Sequence, residues 1–372
     1  MNGPKTNGPA VVDVHAHHVG AYAIERIREE GEAHGVRLVT AEVAGRPVTG
    51  VEVAGRPSGL PLVPPLSDVA ARLAWMDAAG VDVQLVAPWM DLAGYELDGE
   101  DGLWLSQVQN DSAARLRAAH PDRFRTAAAV PLQRPDLAVK ELHRAVTELG
   151  HEAVQIGARV GELGLDDPGL DVFWTAAEEL DVPVVVHPAE LDVPERSRRL
   201  FLHILVGNPS ETTFAAAALL LGGVLENHPG LRVLLVHGGG FVPYQIGRLE
   251  RGFSAAPPAF RSKATRSPRQ SLGQLWFDSV LHDDGALQHL VDFVGASRVV
   301  LGSDYPFPMR LDPPVRALDA AGLDAAGRSA VLGAGGLFGA RTGTGRAGGV
   351  SARNPSSPSA PPPRDPGARW TG

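Results

Sequence analysis

Eight short apolar runs, set between amphipathic stretches, succeed one another along the chain from residue 11 to residue 332. The runs are Val11–Val14, Val81–Ala87, Phe124–Val130, Ala153–Ile156, Val182–Val186, Leu231–Val236, Leu275–Asp278 and Val299–Leu301. Their residues are apolar at successive positions, so both faces are buried, as in a parallel sheet covered by helices. Helical periodicity predicts helices over Asp68–Ala79, Leu103–Ala119, Pro135–Leu149, Leu170–Leu180, Ser210–Glu226, Val242–Arg251, Asp283–Val294 and about Pro314–Leu332. Strand–helix units in unbroken series favour an α/β fold of the (β/α)8 or TIM-barrel type. An open doubly wound sheet is the alternative. A barrel needs about 250 residues, and 372 leave room for an insertion.

That insertion follows the first strand, at about residues 19–66. Glu42-Val43-Ala44-Gly45-Arg46-Pro47 is echoed there by Glu52-Val53-Ala54-Gly55-Arg56-Pro57, which predicts two short strands of a small β excursion. Residues 1–10 are expected to be a flexible leader, and residues 11–339 the barrel. Residues 340–372 are rich in Gly, Pro, Ser, Arg and Thr. They lack the large apolar side chains that would offset ordering entropy, so a disordered tail is expected.

Composition narrows the function classes. The net charge of −9 disfavours a nucleic-acid partner, which would want a basic face. With no cysteine, disulfides and thiolate-bound metal are excluded. The longest apolar run, near Phe214–Leu225, is interrupted by glycine and reads as too short to cross a bilayer. The N-terminus is polar, without an apolar signal core. A cytoplasmic protein with no membrane partner is the expectation.

The chemistry lies where strands end. Val12-Asp13-Val14-His15-Ala16-His17 closes the first strand with two imidazoles on one side, two residues apart. His187 ends the fifth strand, His237 ends the sixth, and Gly302-Ser303-Asp304 follows the eighth. A barrel gathers these C-terminal ends at one mouth. Three imidazoles and a carboxylate there suit one divalent cation such as Zn2+. A lone His-x-His would be weak evidence; its coincidence with the other strand-terminal groups is what carries the reading. His34, His120, His143, His151, His228 and His289 fall in helices, turns or polar loops and are expected at the surface. His18 is expected to point away from its two neighbours. His203 and His282 stay undecided, and Ser303 and Tyr305 could either hydrogen-bond around Asp304 or simply pack. Gly238-Gly239-Gly240 lacks phosphate-loop spacing and is expected to let the backbone pass close to the pocket.

Several longer stretches carry a resemblance: Asp13–His17, Ala153–Gly157, Val185–Pro188, Leu205-Val206-Gly207-Asn208-Pro209-Ser210-Glu211-Thr212-Thr213, His237–Gly240 and Leu301-Gly302-Ser303-Asp304-Tyr305-Pro306-Phe307-Pro308. Over about residues 11–338 the chain resembles the amidohydrolase superfamily, and within it the decarboxylase branch that includes 2-amino-3-carboxymuconate-6-semialdehyde decarboxylase. The resemblance implies a zinc-dependent, cofactor-free C–C lyase acting on a small unsaturated or aromatic carboxylic acid. It assigns His15, His17, His187 and Asp304 as metal ligands and His237 as the unliganded base that activates water. It makes Arg248 a contact to the substrate carboxylate of a neighbouring subunit, hence a homodimer, and Arg56 the nearest match to a second substrate arginine. Phe201 takes the place of a pocket tryptophan, and Ala189 stands where the muconate enzymes carry another. Gln155 stands where two-metal members of the superfamily carry a bridging lysine, which implies one ion. A metal-dependent hydrolase or hydratase is the alternative, because the ligand set is shared. A non-catalytic metal-binding scaffold is disfavoured by the intact His237.

Overall fold

The computed structural model describes residues 10–43, 45–189, 195–319 and 321–338. The expectations for the leader (apart from Ala10) and for the 340–372 tail fall outside the described residues. Eight parallel strands form the central sheet: β1 (Val12–His17), then, after the insertion, β5 (Val83–Ala87), β6 (Phe124–Ala128), β7 (Ala153–Gly157), β8 (Val184–His187), β9 (Val233–Leu235), β10 (Leu275–Asp278) and β11 (Val299–Val300). Each pairs with the next in sequence. The ring is stitched between first and last strands: the Val14 N–H donates to the Leu301 carbonyl at 2.8 Å, and Ala16 bridges Tyr305 in parallel. This is the (β/α)8 barrel that the alternation of runs predicts.

The intervening helices bury one face each. Helix Pro135–Thr147 sinks Leu137, Ala138, Leu142, Ala145 and Val146 at three- and four-residue spacing. Each such leucine contributes roughly 1.5–3 kcal/mol of transfer free energy. Helix Gly99–Ala119 starts ahead of the predicted Leu103, because the Asp98 carboxylate accepts the N–H groups of Glu100 and Asp101 and caps it there. The single helix expected over Pro314–Leu332 is two, Pro314–Ala317 and Ala325–Leu332. Gly322 at φ +61° breaks the run, and Asp324 caps the second piece.

The insertion holds more than the two expected strands. Its echoed segments lie in an antiparallel sheet of β2 (Val36–Val43), β3 (Arg46–Val53) and β4 (Arg56–Pro57). A helix, Ala21–Glu30, precedes it, and Val36, Val51 and Val53 pack with Ala23 and Ile27 in one cluster.

Two of the histidines expected at the surface are buried. His151, 1 % exposed, places Nε2 3.2 Å from the Asn110 carbonyl, and burial pushes its pKa down to about 4. His228, 6 % exposed, meets Asp171 at 3.0 Å and Glu178 at 3.5 Å. Both follow a helix end, where a polar turn folds under the chain and the ring finds partners that offset its desolvation. The segment His203–Leu221 is, by length and composition alone, long and apolar enough to cross a bilayer, as a core helix can be; the π-helical stretch His203–Gly207 runs straight into helix Asn208–Leu221. In the barrel this helix buries Ala215, Ala216, Leu219 and Leu220 in the main core.

Candidate metal centre

β1 is extended, so His15 and His17 project to the same side at the strand's C-terminal end. His187 ends β8, and Asp304 follows β11 by a short turn. One ligand atom from each of these four buried residues lies within 4.8 Å of the other three. The Asp304 carboxylate stands 3.4 Å from His15 Nε2 and 3.3 Å from His17 Nε2.

The other ring nitrogens are committed elsewhere. His15 Nδ1 lies 2.6 Å from Asp278, His17 Nδ1 3.1 Å from the Pro88 carbonyl and His187 Nδ1 2.7 Å from the Pro188 carbonyl. Acceptors at Nδ1 fix the proton there and leave each Nε2 as a bare lone pair. All three Nε2 atoms and Asp304 Oδ1 are buried with no hydrogen-bond partner. Four converging buried acceptors without donors are costly unless a cation joins them. The donor set therefore fits one divalent ion held by imidazole and carboxylate.

Electrostatics point the same way. Burial opposes charge on Asp304, but the neighbouring imidazoles of His15 and His17 outweigh it and hold its pKa below the carboxylate range. Burial likewise opposes protonation of His15, and Asp304 with Asp278 overcomes it. For His237 burial dominates and His15 adds to it, lowering the pKa to about 4, so the ring is neutral near pH 7. Its ring centroid lies 5.3 Å from those of His15 and His187, yet it is not part of the four-atom group, and its Nδ1 is buried without a partner.

Backbone strain gathers here. Asp304 (φ +63°) and His237 (φ +55°) are both left-handed non-glycine residues. Each such position costs on the order of 1–3 kcal/mol and persists where the surroundings enforce it, commonly at functional sites. The glycines after His237 relieve the same turn. A Cβ on Gly238 would lie 2.3 Å from Leu281, and one on Gly240 2.2 Å from the Pro209 carbonyl. The close approach expected of this run is real.

Asp278, at the tip of β10, went unassigned in the sequence. It accepts from His15 Nδ1–H at 2.6 Å and from the Gly238 N–H at 2.8 Å, so one carboxylate orients both a candidate ligand and the turn after His237. Its signal was legible, since it too ends a barrel strand, but its partner lies 263 positions away. Beneath the site, Ser303 Oγ donates to Asp13 at 2.5 Å, and Gln84 donates to Asp13 at 2.8 Å. The fully buried Arg72 donates to Gln84 and to the His17 carbonyl, with its guanidinium over the Tyr305 ring at 4.6 Å. Ser303 is thus a hydrogen-bond partner, while Tyr305 packs. His18 lines a separate small cavity with Gly20, Gln109 and Ser112. Replacing Asp278 by Asn should weaken metal affinity about 10–100-fold, as loss of a carboxylate behind a ligating imidazole typically does. Competition with a chromogenic chelator measures this, and an unchanged affinity would contradict the orienting role.

Above the four-atom group opens a cavity of about 360 Å³, walled by Trp89, Phe201, Phe241 and Phe307 and reached by His187, His237 and Asp304. His282 also lines it. Arg56 and Arg248 do not. Arg56 lies exposed on β4, and Arg248 lies exposed on helix Val242–Ala255. No lysine or arginine lines the cavity among the described residues.

Comparison with known proteins places this geometry. The family described as Amidohydrolase matches residues 12–334. The chain is 37% identical over 242 residues to 2-amino-3-carboxymuconate-6-semialdehyde decarboxylase of Dictyostelium discoideum, covering 65% of this chain and 67% of the relative. It is 30% identical over 256 residues to gamma-resorcylate decarboxylase of Rhizobium sp., covering 63% and 76%. Among solved structures, 5-carboxyvanillate decarboxylase of Novosphingobium aromaticivorans, complexed with manganese and 4-hydroxy-3-methoxy-5-nitrobenzoic acid, superposes with a TM-score of 0.74 at 21% identity over 89% of this chain and 96% of that one. At that identity the likeness shows the fold.

Proposed function

This chain belongs to the amidohydrolase family, and from that premise we propose that it is a metal-dependent carboxy-lyase that removes CO2 from a small unsaturated or aromatic carboxylic acid. The observation that carries the reading is the set of four unpartnered buried acceptors beside a neutral, unliganded His237, at the floor of a cavity with aromatic walls. The relatives named decarboxylases act on acids of this kind, and the flat walls suit a planar one.

His15, His17, His187 and Asp304 would hold one divalent ion, with zinc the first choice for imidazole donors and manganese the ion seen in the structural neighbour. When bound, the ion supplies a fixed positive charge that stabilises negative charge developing on the substrate. His237 is the group that moves a proton. Neutral at pH 7, it can take the proton of the substrate's acid group or of a water at a ring nitrogen and deliver it to the carbon that bears the carboxylate. The C–CO2 bond then breaks, and its electron pair re-forms the unsaturated system. A proton replaces CO2, so the reaction balances with no redox cofactor. Phe201 packs against the substrate as one of the walls. The apolar lining excludes water and strengthens every charge interaction inside.

Arg248 would act across a homodimer. Tyr244, on the helix that carries Arg248, is 66 % exposed, so a second copy has an aromatic side chain beside Arg248 to cover. There the guanidinium would grip a substrate carboxylate in two-pronged fashion. Arg56 is the second candidate from the insertion. Mixing Arg248→Ala with His237→Ala subunits should restore activity, because one site of each mixed dimer regains both groups. Absence of rescue in dimers shown to have exchanged would refute the trans role.

A hydrolase or hydratase could use the same ligand set. A panel of hydroxybenzoic and unsaturated dicarboxylic acids, tested beside lactones and amides, separates the readings. CO2 release confined to the acids is expected. Turnover of lactones or amides without CO2 release would overturn the lyase assignment.

A further inference from the structure

The wall of the cavity contains a carboxylate that the reaction above does not use. Asp91 sits in the turn Met90–Leu92, after β5, is 3 % exposed and lines the cavity with Leu60 and Trp89. Its Oδ2 accepts the Gly59 N–H at 2.9 Å, and the Leu60 N–H also faces it. These two groups belong to the end of the insertion, so Asp91 ties that segment to the barrel mouth. A carboxylate offers about four acceptor positions. Two backbone donors leave it with capacity to spare, in a wall that supplies no lysine or arginine among the described residues.

We propose that Asp91 is a specificity-determining residue: it accepts a hydrogen bond from a donor substituent, a phenolic hydroxyl or an amine, carried by the carboxylic acid bound in this cavity. The assignment rests on the reading of the cavity as a substrate site and adds the kind of molecule it selects. Burial drives the Asp91 pKa up to about 6, and its two backbone donors only partly oppose this, so the charged form gains from a further donor. A methyl ether in the same place offers no proton, and a second carboxylate there would meet like charge. The pocket therefore favours a hydrogen-bond donor over a second carboxylate at the substituent that faces Asp91.

The test uses the metal-loaded, full-length protein and its Asp91→Asn variant. Asparagine keeps an acceptor oxygen for the Gly59 and Leu60 N–H groups but turns an N–H donor toward the substrate. Binding of 2-, 3- and 4-hydroxybenzoate and of the three matching methoxybenzoates is measured by calorimetry. The native protein should bind at least one hydroxy acid about tenfold more tightly than its ether, the worth of one hydrogen bond to a charged acceptor. In the variant that ratio should fall to about one. A ratio preserved in the variant, or equal weakening of both partners, would show that Asp91 only holds the loop, and would overturn the proposal. If neither protein bound any of the six acids, the substrate site itself would be wrong and the inference would fall with it. Asp91→Ser, whose hydroxyl can still accept from the loop, repeats the measurement should the Asn variant melt early.

Discussion

Replacing His237 by Ala is expected to lower kcat by about 10²–10⁴-fold, the usual worth of a positioned general acid–base group, while the metal stays bound. The separation of the two effects follows from geometry. The ring lies 5.3 Å from those of His15 and His187 but contributes no atom to the four-atom group, and burial keeps it neutral with a pKa of about 4. One complication is built into the backbone. At φ +55° alanine is itself strained, so part of any loss could come from a distorted turn. Asparagine tolerates that conformation better, and His237→Asn should show the same loss of kcat with a smaller change in melting temperature. Elemental analysis of both variants decides the role. Loss of the metal along with activity would make His237 a ligand and remove it as the proton carrier.

Asp304→Ala should abolish metal retention altogether. The carboxylate is the sole anion among the four converging groups and stands within 3.4 Å of two of the imidazole nitrogens. Its removal costs both a bond and the charge that offsets the cation's desolvation, so the loss should exceed the 10–100-fold expected for Asp278→Asn. Asp304→Asn separates the two contributions, because it keeps an oxygen of similar reach, suits the left-handed backbone and lacks the charge. After dialysis against a weak chelator, the Ala variant should hold no metal and the Asn variant a small residual fraction. Full occupancy in either would refute the assignment of Asp304.

The barrel was legible because buried parallel strands have a simple signature, and the candidate ligands because they sit at strand tips. Those two regularities need no knowledge of distant contacts. What lay hidden depends on such contacts. Asp278 stands at a strand tip like the others, yet its importance comes from a ring 263 positions away. Arg72 falls on a predicted helix, where an arginine is usually exposed. It is completely buried because Gln84, a main-chain carbonyl and the Tyr305 ring receive it together. His151 and His228 fall in polar turns, which usually lie at the surface. Acceptors beneath each ring reversed that. Helix Ala21–Glu30 carries no clear start signal, because it lacks a side-chain cap and an acidic first turn, the marks by which a helix start is usually read. Arg56 and Arg248 came from resemblance alone, and a single chain leaves both outside the cavity. The substrate contact proposed for Arg248 would need a second copy.

The seam between the first and last barrel strands sets an order of events. The Asp304 N–H donates to the His15 carbonyl at 2.8 Å, and Ser303 reaches Asp13 across 290 positions. During synthesis, the two imidazoles of the opening strand leave the ribosome long before the aspartate that completes their nest. A nascent chain halted anywhere short of that residue has nothing to hold a cation with full strength. Full-strength loading is therefore expected only once the two ends of the barrel have met, and ion uptake would then report ring closure.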